Sequence, residues 1–270
     1  MNGGKGRQPV WAVLGVVVLA VVAISLAAVA LTSMPTADTS AQEPPEPLPG
    51  AEPELEPAPL APVRALFGRA APLTVSVLGD STSDDDDGWV AMWAQELADT
   101  HTVTLHMWDA EDSGYDAPVT YGDAGPEVEI WNFSVPGALP DDPARRLQAA
   151  QPERPDLVIY NFGHTSTPGD VGAELDTTLR AVNRRWDGPL QSLLILQNPA
   201  RRESRIEQSE TVFYLRTFWA RDAGVPTVNV FAAFRYAPGP VRNLLENDEQ
   251  PNARESGLWS SVVTAALRPQ

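Results

Sequence analysis

The stretch Leu73-Thr-Val-Ser-Val-Leu-Gly-Asp-Ser-Thr82 is an apolar, β-branched run that stops abruptly at Gly79-Asp80-Ser81-Thr82. Four aspartates, Asp84 to Asp87, follow, and a helical pattern starts at Trp89. A strand that ends at a glycine and delivers a hydroxyl into the gap before a helix is one way to present a nucleophile. Ser81 would sit among backbone N–H groups at a positive helix end. The same four residues also make an ordinary turn. The hydroxyl therefore gains meaning only from partners elsewhere: a base to take its proton, and donors for the oxyanion formed when it attacks a carbonyl. Imidazole is the commonest base, and the chain holds only His101, His106 and His164. His101 and His106 lie in or beside a predicted strand and read as structural. His164 stands in Gly163-His-Thr-Ser-Thr167, at the end of another predicted strand.

Composition removes several other chemistries. There is no cysteine, which excludes thiol chemistry and disulfides. No His-Glu-x-x-His or other zinc-type spacing occurs. The four aspartates read as a solvated cap on the following helix, so neither a metal nor a cofactor is expected. A net charge of −17 and a pI of about 4.4 leave no electrostatic footprint for nucleic acid.

Val10 to Leu31 is apolar or small throughout, with Ser25 its only polar member. At about 1.5 Å per residue it spans about 33 Å, enough for a bilayer. Lys5 and Arg7 precede it, so residues 1–9 are expected to form a short basic cytoplasmic tail. The rest of the single-pass chain then lies outside the membrane. Secretion after signal-peptide cleavage is the alternative, with Ala28-Val29-Ala30 and Ala41 as small-residue sites. The apolar run exceeds the usual signal core of about 7–15 residues, which favours the uncleaved anchor. Residues 32–62 are rich in Pro, Glu and Ala and predict an extended linker without a packed core.

From residue 63 to 270 strands and helices alternate. Strands are predicted over residues 73–78, 102–107, 128–133, 156–162, 190–196 and 227–230. Helices are predicted near 89–99, through Ala144, Leu147 and Ala150, from Val171 to Trp186, near 203–223 and after Asn252. The last of these carries Glu255 for a capping box and a buried stripe at Leu258, Val262 and Ala266, with Trp259 and Val263 beside it. Residues 108–126 lack periodicity and read as a long loop that could wall a pocket with Trp108, Tyr115 and Tyr121. The alternation predicts an α/β domain, a doubly wound parallel sheet between two helical layers. Ligands bind such sheets beyond the carboxyl ends of the strands, where the breaks at Gly79, Gly137 and Gly163 converge.

The blocks at these breaks resemble the SGNH (GDSL-type) hydrolase family, and the resemblance covers nearly all of residues 63–270. Leu78-Gly-Asp-Ser-Thr82 matches the first block, with Ser81 at the nucleophile position. Asn132-Phe-Ser-Val-Pro-Gly-Ala138 matches the second, with Gly137 at an oxyanion-hole position. Asn161-Phe-Gly-His164 resembles the third, and Pro251-Asn252 the end of the fifth. The resemblance implies a three-layer, flavodoxin-like sheet and ester hydrolysis through Ser81. Three partners depart from the pattern. Gln250 stands for the histidine that takes the serine proton, Asn247 for the aspartate that orients it, and Thr165 for the asparagine that donates to the oxyanion. No histidine follows His164. Gln is not a base, and an unactivated serine hydroxyl is a poor nucleophile near neutral pH. The expectation is an SGNH-type domain impaired in turnover that binds acylated or acetylated envelope carbohydrate, or another acyl ester. The alternative is an active esterase with a relocated base such as His164.

Overall fold

Strand β1 (Leu73–Gly79) forms where the β-branched run predicts it, at the centre of the sheet. In this computed structural model residues 58–201 and 205–269 are described. The expected tail, membrane helix and all but the last residues of the linker lie outside them. Among the described residues no helix is long and apolar enough to cross a membrane.

The remaining strands are β2 (Thr102–Asp109), β3 (Gly114–Tyr115), β4 (Val119–Tyr121), β5 (Glu127–Ser134), β6 (Leu157–Asn161), β7 (Gln191–Leu196) and β8 (Thr227–Asn229). The sheet order is β3-β2-β5-β1-β6-β7-β8, with β4 also paired to β2. Strands β2, β5, β1, β6, β7 and β8 run parallel, while β3 and β4 are antiparallel to β2. This departs from a flavodoxin-like order, in which the second parallel strand lies beside the first. Here β5 sits between β1 and β2, so β1 has the carboxyl ends of β5 and β6 on its two sides.

Alternate residues of the central strands feed two cores, as parallel strands buried on both faces require. Val75, Val77, Leu157 and Ile159 pack with helices α1 (Ala61–Phe67), α2 (Trp89–Leu97), α8 (Val230–Tyr236) and α9 (Ala253–Leu267). Trp89 stacks on Trp259 with ring centroids 5.4 Å apart, which joins α2 to α9. On the other face Leu78, Val158 and Tyr160 pack with α4 (Leu147–Ala150), α5 (Val171–Arg185) and the helix running from α6 (Arg205–Tyr214) through a π turn at Leu215–Trp219 into α7 (Ala220–Ala223).

Several sequence expectations need correction. The helix around Ala144 is two short pieces, α3 (Asp142–Arg145) and α4. Residues 108–126 are not a plain loop, because β3 and β4 fold back on β2 and pair Trp108 with Tyr115 and Val103 with Tyr121. Helix α1 starts at Ala61, inside the stretch read as linker, because Val63 and Phe67 are buried in the core. Helix α8 went unpredicted. The buried stripe of α9 is Trp259, Val263 and Leu267, one position on from the expected one, because the Trp259 indole takes the stack on Trp89. Asn252 caps α9 by accepting from the Glu255 N–H at 3.2 Å, but its own N–H goes to Leu244, so the reciprocal half of a capping box is absent. The aspartates do not cap α2, whose N-cap is Gly88 with no side-chain bond.

Candidate active site

The register of the parallel strands sets Gly79, Ser134 and Asn161 abreast at the carboxyl end of the sheet. A Cβ on Gly79 would lie 2.7 Å from Ser134 Oγ, so only glycine allows this approach. The chain then turns: Asp80 O accepts from the Ser83 N–H at 3.1 Å. Asp80 itself is fully buried. Its Oδ1 accepts from the Thr82 N–H at 3.0 Å and from Thr82 Oγ1 at 2.8 Å, and Gln197 Nε2 lies 3.0 Å from each carboxylate oxygen. Asn161 Nδ2 reaches Thr82 Oγ1 at 2.9 Å and also bonds Ser83 Oγ, which accepts from Trp89 Nε1 at 3.0 Å. From the other flank Asn132 Nδ2 donates to Ser83 O at 2.7 Å and Oδ1 accepts from Ser134 at 2.7 Å. Side chains from the ends of β1, β5, β6 and β7 thus lock the turn that carries Ser81. A buried carboxylate held only by neutral donors is tolerable because each of its oxygens is bonded.

Ser81 is half-buried, and its Oγ makes no hydrogen bond among the described residues. Its carbonyl oxygen accepts from Gln250 Nε2 at 3.0 Å. Gln250 Oε1 in turn is bonded by Asn247 Nδ2, and Asn247 Oδ1 accepts from the N–H groups of Glu249 (2.9 Å) and Gln250 (2.8 Å). The fold therefore brings together Ser81, Gln250 and Asn247 in the order in which the resemblance implies serine, histidine and aspartate. The loop is fastened by a bridge between Leu245 and Pro251, by Asn198 Nδ2 to Glu249 O at 2.7 Å, and by the Arg201 N–H to Asp248 O at 2.8 Å. No proton acceptor of base strength lies along this chain of amides.

The oxyanion positions divide. Gly137 sits at φ +71° with no atom within 4 Å of where a Cβ would be. The glycine is favoured there by conformation, since an L-residue in that region costs about 1–2 kcal/mol. No acceptor among the described residues takes the Gly137 N–H. Thr165, at the position of the missing asparagine, donates its hydroxyl to Ala138 O at 2.9 Å, a bond that holds the Gly137 loop. His164 lies on the same rim, lining a hollow of about 110 Å³ with Thr165, Ser166, Glu207 and Gln208. Its Nε2 is buried without a partner, and no hydrogen bond joins it to Ser81, Asn247 or Gln250. Of the other histidines, His101 reaches Phe67 O at 3.3 Å and His106 stacks on Trp131 and meets Glu129 at 3.0 Å. Trp108 lines a groove of about 560 Å³ with Arg145 and Arg146, whereas Tyr115 and Tyr121 do not.

Sequence reasoning missed two residues at the site. Gln197 directly follows β7 and fastens Asp80; a polar residue straight after the apolar run of residues 193–196 was the available signal. Asp84 is the other. It is half-buried whereas Asp85, Asp86 and Asp87 are exposed. Burial, reinforced by Asp85 and Asp80, pushes its carboxyl up to about 6. Nothing in a run of four aspartates marks the first as the one that turns inward.

Neither a protein-family model nor a curated protein matches the sequence significantly. Solved structures do match the fold. A member of the lipolytic protein G-D-S-L family from Veillonella parvula aligns with a TM-score of 0.51 at 12% identity, over 73% of this chain and 97% of that one. The lipase/acylhydrolase from Enterococcus faecalis gives 0.52 at 17% identity, over 72% and 94%. A variant of an acetyl-xylooligosaccharide esterase from Geobacillus gives 0.54 at 12% identity, over 72% and 94%. With the sheet, the locked Gly79–Thr82 turn and the Gly137 loop in place, the domain has the fold of the SGNH (GDSL-type) hydrolases.

Proposed function

We propose that this chain is an SGNH-type, ester-recognising protein, held outside the membrane by its N-terminal helix, in which Ser81 has lost efficient turnover. The observation that carries the reading is the Gln250 amide, fixed by Asn247, donating to the Ser81 carbonyl where a base would face the hydroxyl. Removing the histidine of a Ser-His-Asp system costs about 10⁶ in kcat, equivalent to about 8 kcal/mol of barrier. The occupied Thr165 hydroxyl removes a further donor, worth about 10² when it acts independently. Binding and the Gly137 N–H would leave a residual about 10³ over water. The ligand class is an acylated or acetylated carbohydrate of the envelope, or another acyl ester. Its support is the acetyl-xylooligosaccharide esterase above and a two-domain esterase active on acetylated mannans that shares the fold.

The test is hydrolysis of a short-chain aryl ester, with fluorophosphonate labelling, by the full chain and its Ser81→Ala variant. The expected result is slow or no turnover and weak labelling. Turnover at rates typical of esterases, abolished in Ser81→Ala, would overturn the reading. The second reading, an active esterase with His164 as base, has in its favour the buried, unpartnered Nε2. It requires His164→Ala to abolish a robust Ser81-dependent rate.

A further inference from the structure

Among the described residues five large hydrophobic side chains are exposed, and four of them, Ile206, Phe213, Phe218 and Tyr236, lie on two neighbouring helices. The α6–α7 helix packs in the core on one face of the sheet and α8 in the core on the other, and the two meet at the β8 edge. A hollow of about 320 Å³ at their junction is lined by Ile206, Ser209, Glu210, Phe213 and Arg235. Ile206 and Phe213 are seven residues apart and so share one face of α6. Phe218, five beyond Phe213, would stand well round the axis from it in a regular α-helix. The π turn at Leu215–Trp219 adds a residue there and brings Phe218 against Phe213, with ring centroids 6.1 Å apart. Tyr236 is 88% exposed and follows Arg235 at the end of α8. Single exposed hydrophobes are ordinary, but a contiguous set marks an interaction surface.

Two features of the chain point to one occupant. The first is charge. Arg216, in the π turn between Phe213 and Phe218, and Arg235, in the hollow, are exposed and have no acidic partner among the described residues, in a chain of net charge −17. Apolar rings bordered by unpaired arginines suit a membrane interface, where rings enter the acyl boundary and guanidinium groups reach the phosphates. The second is tethering. Val10 to Leu31 is long enough to cross a bilayer, and residues 32–57 can hold the domain no further from it than about 90 Å. A domain tethered in this way meets the surface at an effective concentration of about 1 mM, so a patch too weak to hold a free domain suffices. We propose that the face formed by Ile206, Phe213, Phe218 and Tyr236 docks on a lipid surface. The proposal rests on the reading of residues 10–31 as an uncleaved membrane anchor. Glu207 and Gln208, in the first turn of α6, line the hollow beside His164. Docking therefore sets that side of the rim close to the membrane and favours ligands carried there, such as acyl esters anchored in the bilayer.

The chain has no cysteine, so a single introduced thiol takes a spin label without interference. Glu210→Cys puts the label in the hollow beside Ile206 and Phe213, and Thr120→Cys puts it on β4, exposed at the opposite edge of the sheet. The full chain is reconstituted in phosphatidylcholine–phosphatidylglycerol vesicles, and collisions of each label with oxygen and with a water-soluble nickel chelate are compared by power saturation. The label at position 210 is expected to lose collisions with the chelate and gain them with oxygen, while the label at position 120 stays accessible to the chelate. Adding Ile206→Ser and Phe213→Ser to Glu210→Cys is expected to return that label to water; both side chains are exposed, so the fold does not depend on them. A label at position 210 as accessible to the chelate as the one at position 120 overturns the proposal. So does shielding at position 210 with spin–spin broadening that disappears on dilution with unlabelled chain, which makes the occupant a second copy. A chain that fails to float with the vesicles removes the anchor and the proposal with it, whereas one that floats with both labels in water sinks the docking alone.

Discussion

Two segments approach Ser81, one from the ends of β1, β5, β6 and β7 and the other from the loop between Leu245 and Pro251. In the first, Asp80, Asn132, Asn161 and Gln197 are all buried, and their bonds link strands far apart in sequence. In the second, Asn247 is exposed, Gln250 is only half-buried, and the Asn247 side chain bonds only within the loop. The first segment builds the turn that presents a hydroxyl. The second is where the resemblance implies proton transfer, and it retains the backbone placement while carrying amides. Shape and chemistry are separable here because they belong to different parts of the rim. Replacing a buried network member costs folding free energy, whereas replacing an exposed loop residue costs activity and little else.

That contrast can be broken by stability measurements. Asp80→Ala strands the Gln197 amide and the Thr82 donors in a dry site, and should lower the unfolding free energy by about 3 kcal/mol in denaturant titrations. A loss below 1 kcal/mol would mean that the network is not what fixes the turn. Asp84→Asn should do the opposite at neutral pH. The folded carboxyl has its pKa raised from 3.8 to about 6. Its contribution therefore favours the fold below the unfolded value and is lost as pH rises through the folded one. Removing the charge should stabilise the domain at pH 7 by about 1 kcal/mol after discounting for solvent screening. The gain should shrink below pH 6 and vanish below about pH 4, as read from Tm against pH. Gln250→Ala, the smallest effect, should cost about 0.5 kcal/mol, since its bonds to Ser81 O and from Asn247 are partly solvated.

How far the sequence was legible follows the same division. β1, β6 and β7 could be placed because β-branched and apolar runs in a parallel sheet are buried on both faces, and the breaks after them marked the rim. The positions of Asn247 and Gln250 relative to Ser81 followed from the order of the blocks. The place of β5 between β1 and β2 was not legible, because strand pairing depends on contacts between distant segments. Helix α9 shows a local failure: Leu258, Val262 and Ala266 are as apolar as Trp259, Val263 and Leu267. Only the stack on Trp89 decides between two adjacent stripes. The partner of Thr165 was illegible for a comparable reason. Its hydroxyl has the chemistry of an oxyanion donor, but the nearest acceptor in the fold is Ala138 O. Asp84 was hidden in a run of four like residues whose burial differs only through the turn before them.

The central proposal is that Gln250 and Asn247, more than the Thr165 position, limit turnover at this site. Its most direct test is the aryl-ester rate of the double variant Asn247→Asp with Gln250→His against that of the wild type. Because the loop already places both positions beside Ser81, the account predicts a gain of at least about 10³-fold, abolished by Ser81→Ala. A correctly folded double variant with no gain over the wild type would contradict it.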